Sequence, residues 1–145
     1  MESQKTKFIN ALKSEFTQFN FISGTRFKWK APKSIYFDEK LDVPFEYFAL
    51  LTLHELGHGL CNHKDYKTDV ERLKIESEAW QRAKREIDSH SSWQSLGIVY
   101  DEDFAENELD SYRDWLHQKS KCKKCGLTRF QTTDGVYYCP NCNCL

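Results

Sequence analysis

Residues His54-Glu55-Leu56-Gly57-His58 read H-E-x-x-H. On an α-helix, four residues rotate the chain by about 400° and advance it ~6 Å, so two imidazoles at this spacing stand on one face, one turn apart. Two ring nitrogens placed in that way can hold one Zn²⁺ at roughly 2.0–2.1 Å. Glu55 follows the first ligand and reaches the open side of the ion. There it would serve as general base toward a water that the metal acidifies. The segment around the motif, PFEYFALLTLHELGHGLC, is apolar nearly all round, in a chain whose mean hydropathy is −0.73. Two histidines and a glutamate are costly in such a segment unless something pairs them. The plainer alternative is a pair of satisfied core histidines beside a surface acid. The buried setting favours metal.

A catalytic zinc needs a third protein ligand and leaves a fourth position open. The candidates are His63, Glu76 and Glu78. Along residues 69–88, Leu73, Glu76, Trp80, Ala83 and Ile87 recur at spacings of three and four and form one helical face. Glu76 is the acid on that inward stripe, and a buried carboxylate needs a cation. Glu78 is turned by about 200° and shares its side with Glu71, Lys74, Arg82 and Arg85, a solvated face. His63 lies beyond the expected helix end. Glu76 is therefore the preferred ligand, with Glu78 and His63 kept open.

The cysteines form a second constellation. Cys122-x₂-Cys125-x₁₃-Cys139-x₂-Cys142 has the spacing of a closed Cys₄ zinc site, in which each C-x-x-C turn aims two thiolates at one ion. Cys144 is an alternative to Cys142. Asp134-Gly135 suits the turn of a hairpin over Thr128–Tyr138, and the whole reads as a zinc ribbon with a structural ion. Cys61 stands apart and reads as a packed thiol, with a cysteine-switch role as its alternative. Lys119, Lys121, Lys123, Lys124 and Arg129 face only Asp134 in this region. Such an excess could meet nucleic acid or an acidic partner, although lysines offsetting an anionic Zn-Cys₄ centre are the simpler reading.

The elements that must position these groups follow from periodicity. Phe8, Ile9, Leu12, Phe16 and Phe19 mark a helix over 4–19. Residues 26–37 are aromatic and β-branched with Pro32 in the middle, so they make two short strands, or one kinked edge strand. Asp42 and Pro44 signal the start of the motif helix. Helices follow over 69–88 and 102–118, the latter with Phe104, Leu109, Tyr112, Trp115 and Leu116 as its apolar members. Tyr112 and Arg113 are also placed to polarise a scissile carbonyl. Ser34–Asp38 is a candidate edge for aligning an extended substrate. The fold class is α+β: a mostly helical domain with a small sheet over 1–119, and a zinc ribbon over 120–145.

His54-Glu-Leu-Gly-His58 followed after 17 residues by Glu76-Ser-Glu-Ala79 resembles the gluzincin metallopeptidases, and most of all the small ImmA/IrrE-type branch. That resemblance covers roughly residues 25–90. It implies a minimal α+β protease fold, a zinc held by His54, His58 and Glu76, and hydrolysis of peptide bonds in regulatory proteins. The chain departs from the branch at Trp80, where a small polar residue usually steadies a ligand. A layout of H-E-x-x-H plus a C-terminal zinc ribbon is also similar to SprT-like proteases. The later histidine of that family has no counterpart here unless His90 serves.

The composition bounds these readings. The chain has 145 residues, 21 basic and 22 acidic, for a net charge of −1. It lacks the global positive charge of a nucleic-acid-binding protein, and it contains no apolar run of the ~18 residues that would span a membrane. An aromatic share of 14% argues against disorder. The charged N-terminus does not resemble a secretory signal, and the expected location is the cytoplasm. The sequence thus predicts a two-zinc metallopeptidase acting on a protein or peptide, with Glu55 as catalytic base. The rival reading is a zinc-ribbon binding module whose H-E-x-x-H group is silent.

Overall fold

The computed structural model describes residues 2–142. Among them are five helices and five strands, with the strands in sheets of three and two, so the protein is α+β as expected. No helix among the described residues is long and apolar enough to cross a membrane. The chain divides into two compact units, Met1–Lys64 with Glu78–Tyr100, and Asp65–Ser77 with Asp101–Leu145. The boundary expected near residue 120 follows sequence character. The compact units are instead discontinuous in sequence.

In the first unit, helix α1 (Gln4–Glu15) starts at Ser3, whose Oγ accepts the Thr6 N–H at 3.1 Å. It buries Phe8, Ile9 and Leu12. The helix ends before the expected Phe19, because the following residues pair as a strand. Strands β1 (Asn20–Ser23), β2 (Lys28–Lys30) and β3 (Ser34–Phe37) make a sheet of order β1-β3-β2. β1 runs parallel to β3, and β2 is antiparallel to it. Pro32 sits in the turn between β2 and β3, so the segment folds into a hairpin. This corrects the expectation that Ser34–Asp38 is an edge: β3 is bonded on both sides, and the sheet edges are β1 and β2.

Helix α2 (Phe45–Leu60) carries the H-E-x-x-H motif and buries every residue from Thr52 to Gly59. Pro44 precedes it without a side-chain cap. Phe48 meets the edges of Phe27 and Phe37, and Phe8 packs against Phe45 and Trp93. Full burial of each Phe or Leu here is worth about 1.5–3 kcal/mol. Trp93 belongs to a short helix, α4 (Ser91–Ser95), that the periodicity did not reveal.

Helix α3 (Asp69–Ser89) begins at Thr68, whose Oγ1 accepts the Glu71 N–H at 3.2 Å. Its stripe holds from Glu76 onward: Glu76, Trp80, Ala83 and Ile87 are buried, with Ala79 beside them, while Leu73 is half-buried. Gly57 is where α2 and α3 come closest. A Cβ at Gly57 would stand 2.3 Å from the Ala79 carbonyl oxygen, a backbone atom that cannot swing away. Gly57→Ala is therefore expected to destabilise the protein by roughly 1–3 kcal/mol, the usual cost of overfilling a packed core. The measurement is the urea midpoint at constant slope. A midpoint equal to that of the wild type would show that the contact yields freely.

In the second unit, α5 (Glu102–Ser120) is capped by Asp101, which accepts the Phe104 N–H at 3.0 Å. Strands β4 (Phe130–Gln131) and β5 (Tyr137–Tyr138) pair antiparallel, and Gly135 takes φ +88° in the turn between them, as the Asp134-Gly135 pair predicts. Asp69 is buried and anchors this hairpin. It accepts from Tyr137 Oη at 2.6 Å and meets Lys119 Nζ at 3.0 Å, while its N–H donates to Gln131 Oε1 at 2.8 Å. Burial first, and then the bond to Asp69, push the Tyr137 hydroxyl up to about 12.

Candidate metal centres

The first centre lies in the last two turns of α2. The helix brings His54 Nε2 and His58 Nε2 to 3.2 Å. Two nitrogens at 2.0–2.1 Å from one tetrahedral ion would be about 3.3 Å apart, so the pair fits a zinc-sized cation. Ligand-type atoms of His54, Glu55 and His58 all lie within 4.8 Å of one another, and all three residues are buried. Trp80, the departure noted in the sequence, lies flat on the His54 ring with centroids 4.4 Å apart and planes 27° apart. A large ring thus steadies His54 by stacking.

His63 and Glu78, both weighed as third ligands, stand elsewhere. His58 turns its Nε2 toward His54 and its Nδ1 toward His63, whose own Nδ1 is 2.9 Å away. His63 Nε2 in turn meets Glu78 Oε2 at 3.1 Å. Both residues therefore lie behind His58. Glu78 was expected on a solvated face; its carboxylate is half-exposed, yet it reaches this buried histidine.

The helix end accounts for that arrangement. Asn62 adopts φ +55°, its N–H bonds to the Gly59 carbonyl at 3.0 Å, and the His63 N–H returns to the His58 carbonyl at 3.0 Å. These are the two bonds of a Schellman ending, which brings the second residue past the cap back over the last helical turns. The Trp29 indole N–H fixes the same turn by donating to the His63 carbonyl at 2.9 Å. A Cβ at Gly59 would stand 3.0 Å from the Phe19 and Trp29 rings, which would have to shift to admit it. Asn62 was the readable sign, since asparagine tolerates the left-handed conformation better than most residues.

Glu76 is 9% exposed and occupies the turn of α3 before Trp80. His90, the alternative late histidine, is engaged by other groups. Its Nε2 bonds Glu15 Oε1 at 2.5 Å, its Nδ1 bonds the Glu86 carbonyl at 2.6 Å, and its ring stacks on Trp93. Burial works against its charged form, but the bonds to Glu15 and Glu86 outweigh that and raise its pKa. Cys61 caps α2 half-buried, and burial, opposed by Arg82, pushes its thiol up, as suits a packed thiol. Arg113 is tied to Glu106 and Asp110 at 2.8 Å each, while Tyr112 and Trp115 flank the Arg72 guanidinium.

The second centre gathers Cys122, Cys125, Cys139 and Cys142, whose sulfurs all lie within 4.8 Å of one another. The Cys122–Cys142 and Cys125–Cys139 pairs are 3.9 and 3.6 Å apart. Those separations exceed the ~2.05 Å of a disulfide and bracket the about 3.8 Å edge of a tetrahedron with 2.3 Å metal–sulfur bonds. Backbone N–H groups of Cys125 and Lys124 lower Cys122 to about 6, and the Leu127 N–H lowers Cys125. The turns thus favour the thiolates that a metal requires. Hydrogen bonding with Cys125, and then burial, raises Cys142. Cys144, the alternative ligand, lies outside the described residues.

The protein therefore contains two groups of residues suited to metal binding. Comparison with protein-family models, curated proteins and solved structures gives no match for this chain.

Proposed function

We propose that this protein is a zinc-dependent metallopeptidase of the gluzincin type, acting on a protein in the cytoplasm and carrying a second, structural zinc on its four cysteines. The observation that supports this most is the 3.2 Å approach of two buried imidazole nitrogens with a buried glutamate next in sequence. A merely structural site needs no acid at that position. His54 and His58 would hold the ion. Glu76 remains the proposed third ligand on the helical pattern of α3.

Zinc, when bound, supplies Lewis acidity, which makes water more acidic and an amide carbonyl more electrophilic. The chain supplies the rest. Glu55 accepts a proton from the attacking water at a carboxylate oxygen. The new C–O bond forms as the C–N bond breaks, and Glu55 passes that proton to the departing nitrogen. Trp80 holds the His54 ring against rotation.

The test is to incubate the two-zinc protein with a protein extract and map new peptide N-termini. Termini that depend on His54 are expected. Their absence from fully loaded protein would overturn the peptidase reading.

One feature favours a second reading, a ribbon-centred binding module. Phe130 and Tyr138 are cross-strand partners, 58% and 41% exposed, on the ribbon that also carries Lys121, Lys123 and Lys124. Aromatic faces among lysines suit single-stranded nucleic acid or an acidic peptide. On that reading a labelled oligonucleotide or acidic peptide binds, and Phe130→Ala weakens it, while no termini appear.

A further inference from the structure

We propose that His63 and Glu78 are positioning residues that set the tautomer and orientation of His58 and so prepare its Nε2 as a metal ligand. This inference rests on the metal reading of the first centre.

An ionised glutamate only accepts hydrogen bonds, so the 3.1 Å contact of Glu78 Oε2 requires a proton on His63 Nε2. A neutral His63 then presents a bare Nδ1. The 2.9 Å contact between the two Nδ1 atoms accordingly requires the proton on His58 Nδ1. A neutral His58 protonated on Nδ1 carries its ring lone pair on Nε2, on the side where His54 Nε2 lies 3.2 Å away. With both imidazoles neutral, this one pair of tautomers satisfies the His63–Glu78 and His58–His63 contacts, and it is the pattern of a histidine ligating through Nε2. Metal-binding histidines commonly donate their second N–H to a carboxylate or carbonyl. Here an imidazole is inserted between ligand and carboxylate, and it carries the carboxylate's influence from a half-exposed position into a buried one.

The backbone holds His63 in that role. The Asn62 turn, the His63 N–H bond to the His58 carbonyl and the Trp29 bond to the His63 carbonyl fix both ends of the residue. Such support also explains why two polar residues are tolerated here: each buried nitrogen of His63 has a partner.

The experiment uses the full chain and zinc itself as the probe. Zinc affinity is measured by competition with a chromophoric chelator, with the cysteine centre as internal reference, and the side-chain ¹⁵N resonances of His58 are recorded. The wild type is expected to bind two zinc ions and to show a proton on His58 Nδ1. His63→Leu is expected to weaken the first centre by about 10–100-fold, leave the cysteine centre unchanged and abolish the protonated Nδ1 resonance. His63→Gln, which can both accept from His58 and donate to Glu78, should recover most of the affinity. Glu78→Ala changes only a half-exposed helical position and should weaken zinc in the same sense, so it decides the matter if His63→Leu does not fold. Unchanged affinity in folded His63→Leu or Glu78→Ala, with two ions still bound, would overturn this inference alone. A wild type that binds zinc only at its cysteines would overturn the metal reading beneath it.

Discussion

Replacing Glu55 with glutamine is expected to leave the fold and both metal ions in place while slowing peptide hydrolysis by about 10²–10⁴-fold, the range typical of losing a positioned general base. The physical basis is the contrast between what the substitution keeps and what it removes. Glutamine preserves the volume of a residue that α2 buries among Leu53, Leu56 and Gly57. It also removes a charge from an apolar setting, so the folded state is not burdened by a lost solvation shell. What disappears is the ability to take a proton from water and return it to nitrogen. Turnover on a substrate identified by terminus mapping, together with zinc content and circular dichroism, separates these effects. Wild-type turnover in a fully loaded Glu55→Gln protein would exclude the mechanism.

The second large effect concerns the cysteines. Cys139→Ser is expected to unfold the ribbon. Its strands, β4 and β5, have two residues each, and Leu127, Phe130, Val136 and Tyr138 are exposed rather than packed. So small a hairpin has almost no core of its own, whereas a structural zinc contributes about 10–16 kcal/mol in comparable modules. Cys139 is fully buried, and its sulfur also accepts from the Cys142 N–H at 3.4 Å. Amide hydrogen exchange is the measure: the Thr132 N–H, which bonds the Val136 carbonyl at 2.8 Å, and the Val136 N–H, which bonds Thr132 Oγ1 at 3.1 Å, should lose protection in the variant and in chelated wild type. Persistent protection without metal would mean that the hairpin stands unaided.

Much of this was legible in the sequence because periodicity and spacing are local. The α3 stripe from Glu76 to Ile87, the all-round burial of α2 and the two C-x-x-C turns each depend on residues a few positions apart. What escaped depends on the pairing of distant segments. β1 was hidden because Phe16 and Phe19 continue a helical pattern, and pairing with β3 overrides it. β3 was read as an edge because nothing in Ser34–Phe37 announces neighbours on both sides. Glu78 was assigned to the solvated face because helical angle alone does not show how far a flexible carboxylate reaches, or that the end of α2 would bring His63 to it. Trp80 was seen only as a departure, and its stacking on His54 needed the packing of α3 on α2.

The ending of α2 also makes a sequence signature. The Schellman turn works because His63 falls five positions after His58 with Asn62 in the left-handed conformation, and because Glu78 follows in the next helix. Insert or delete one residue between the two histidines and the imidazoles no longer face one another. Chains that carry H-E-x-x-H, then asparagine and histidine at this offset, and a glutamate one helix later, should therefore share this triad even where the remaining residues have diverged beyond recognition.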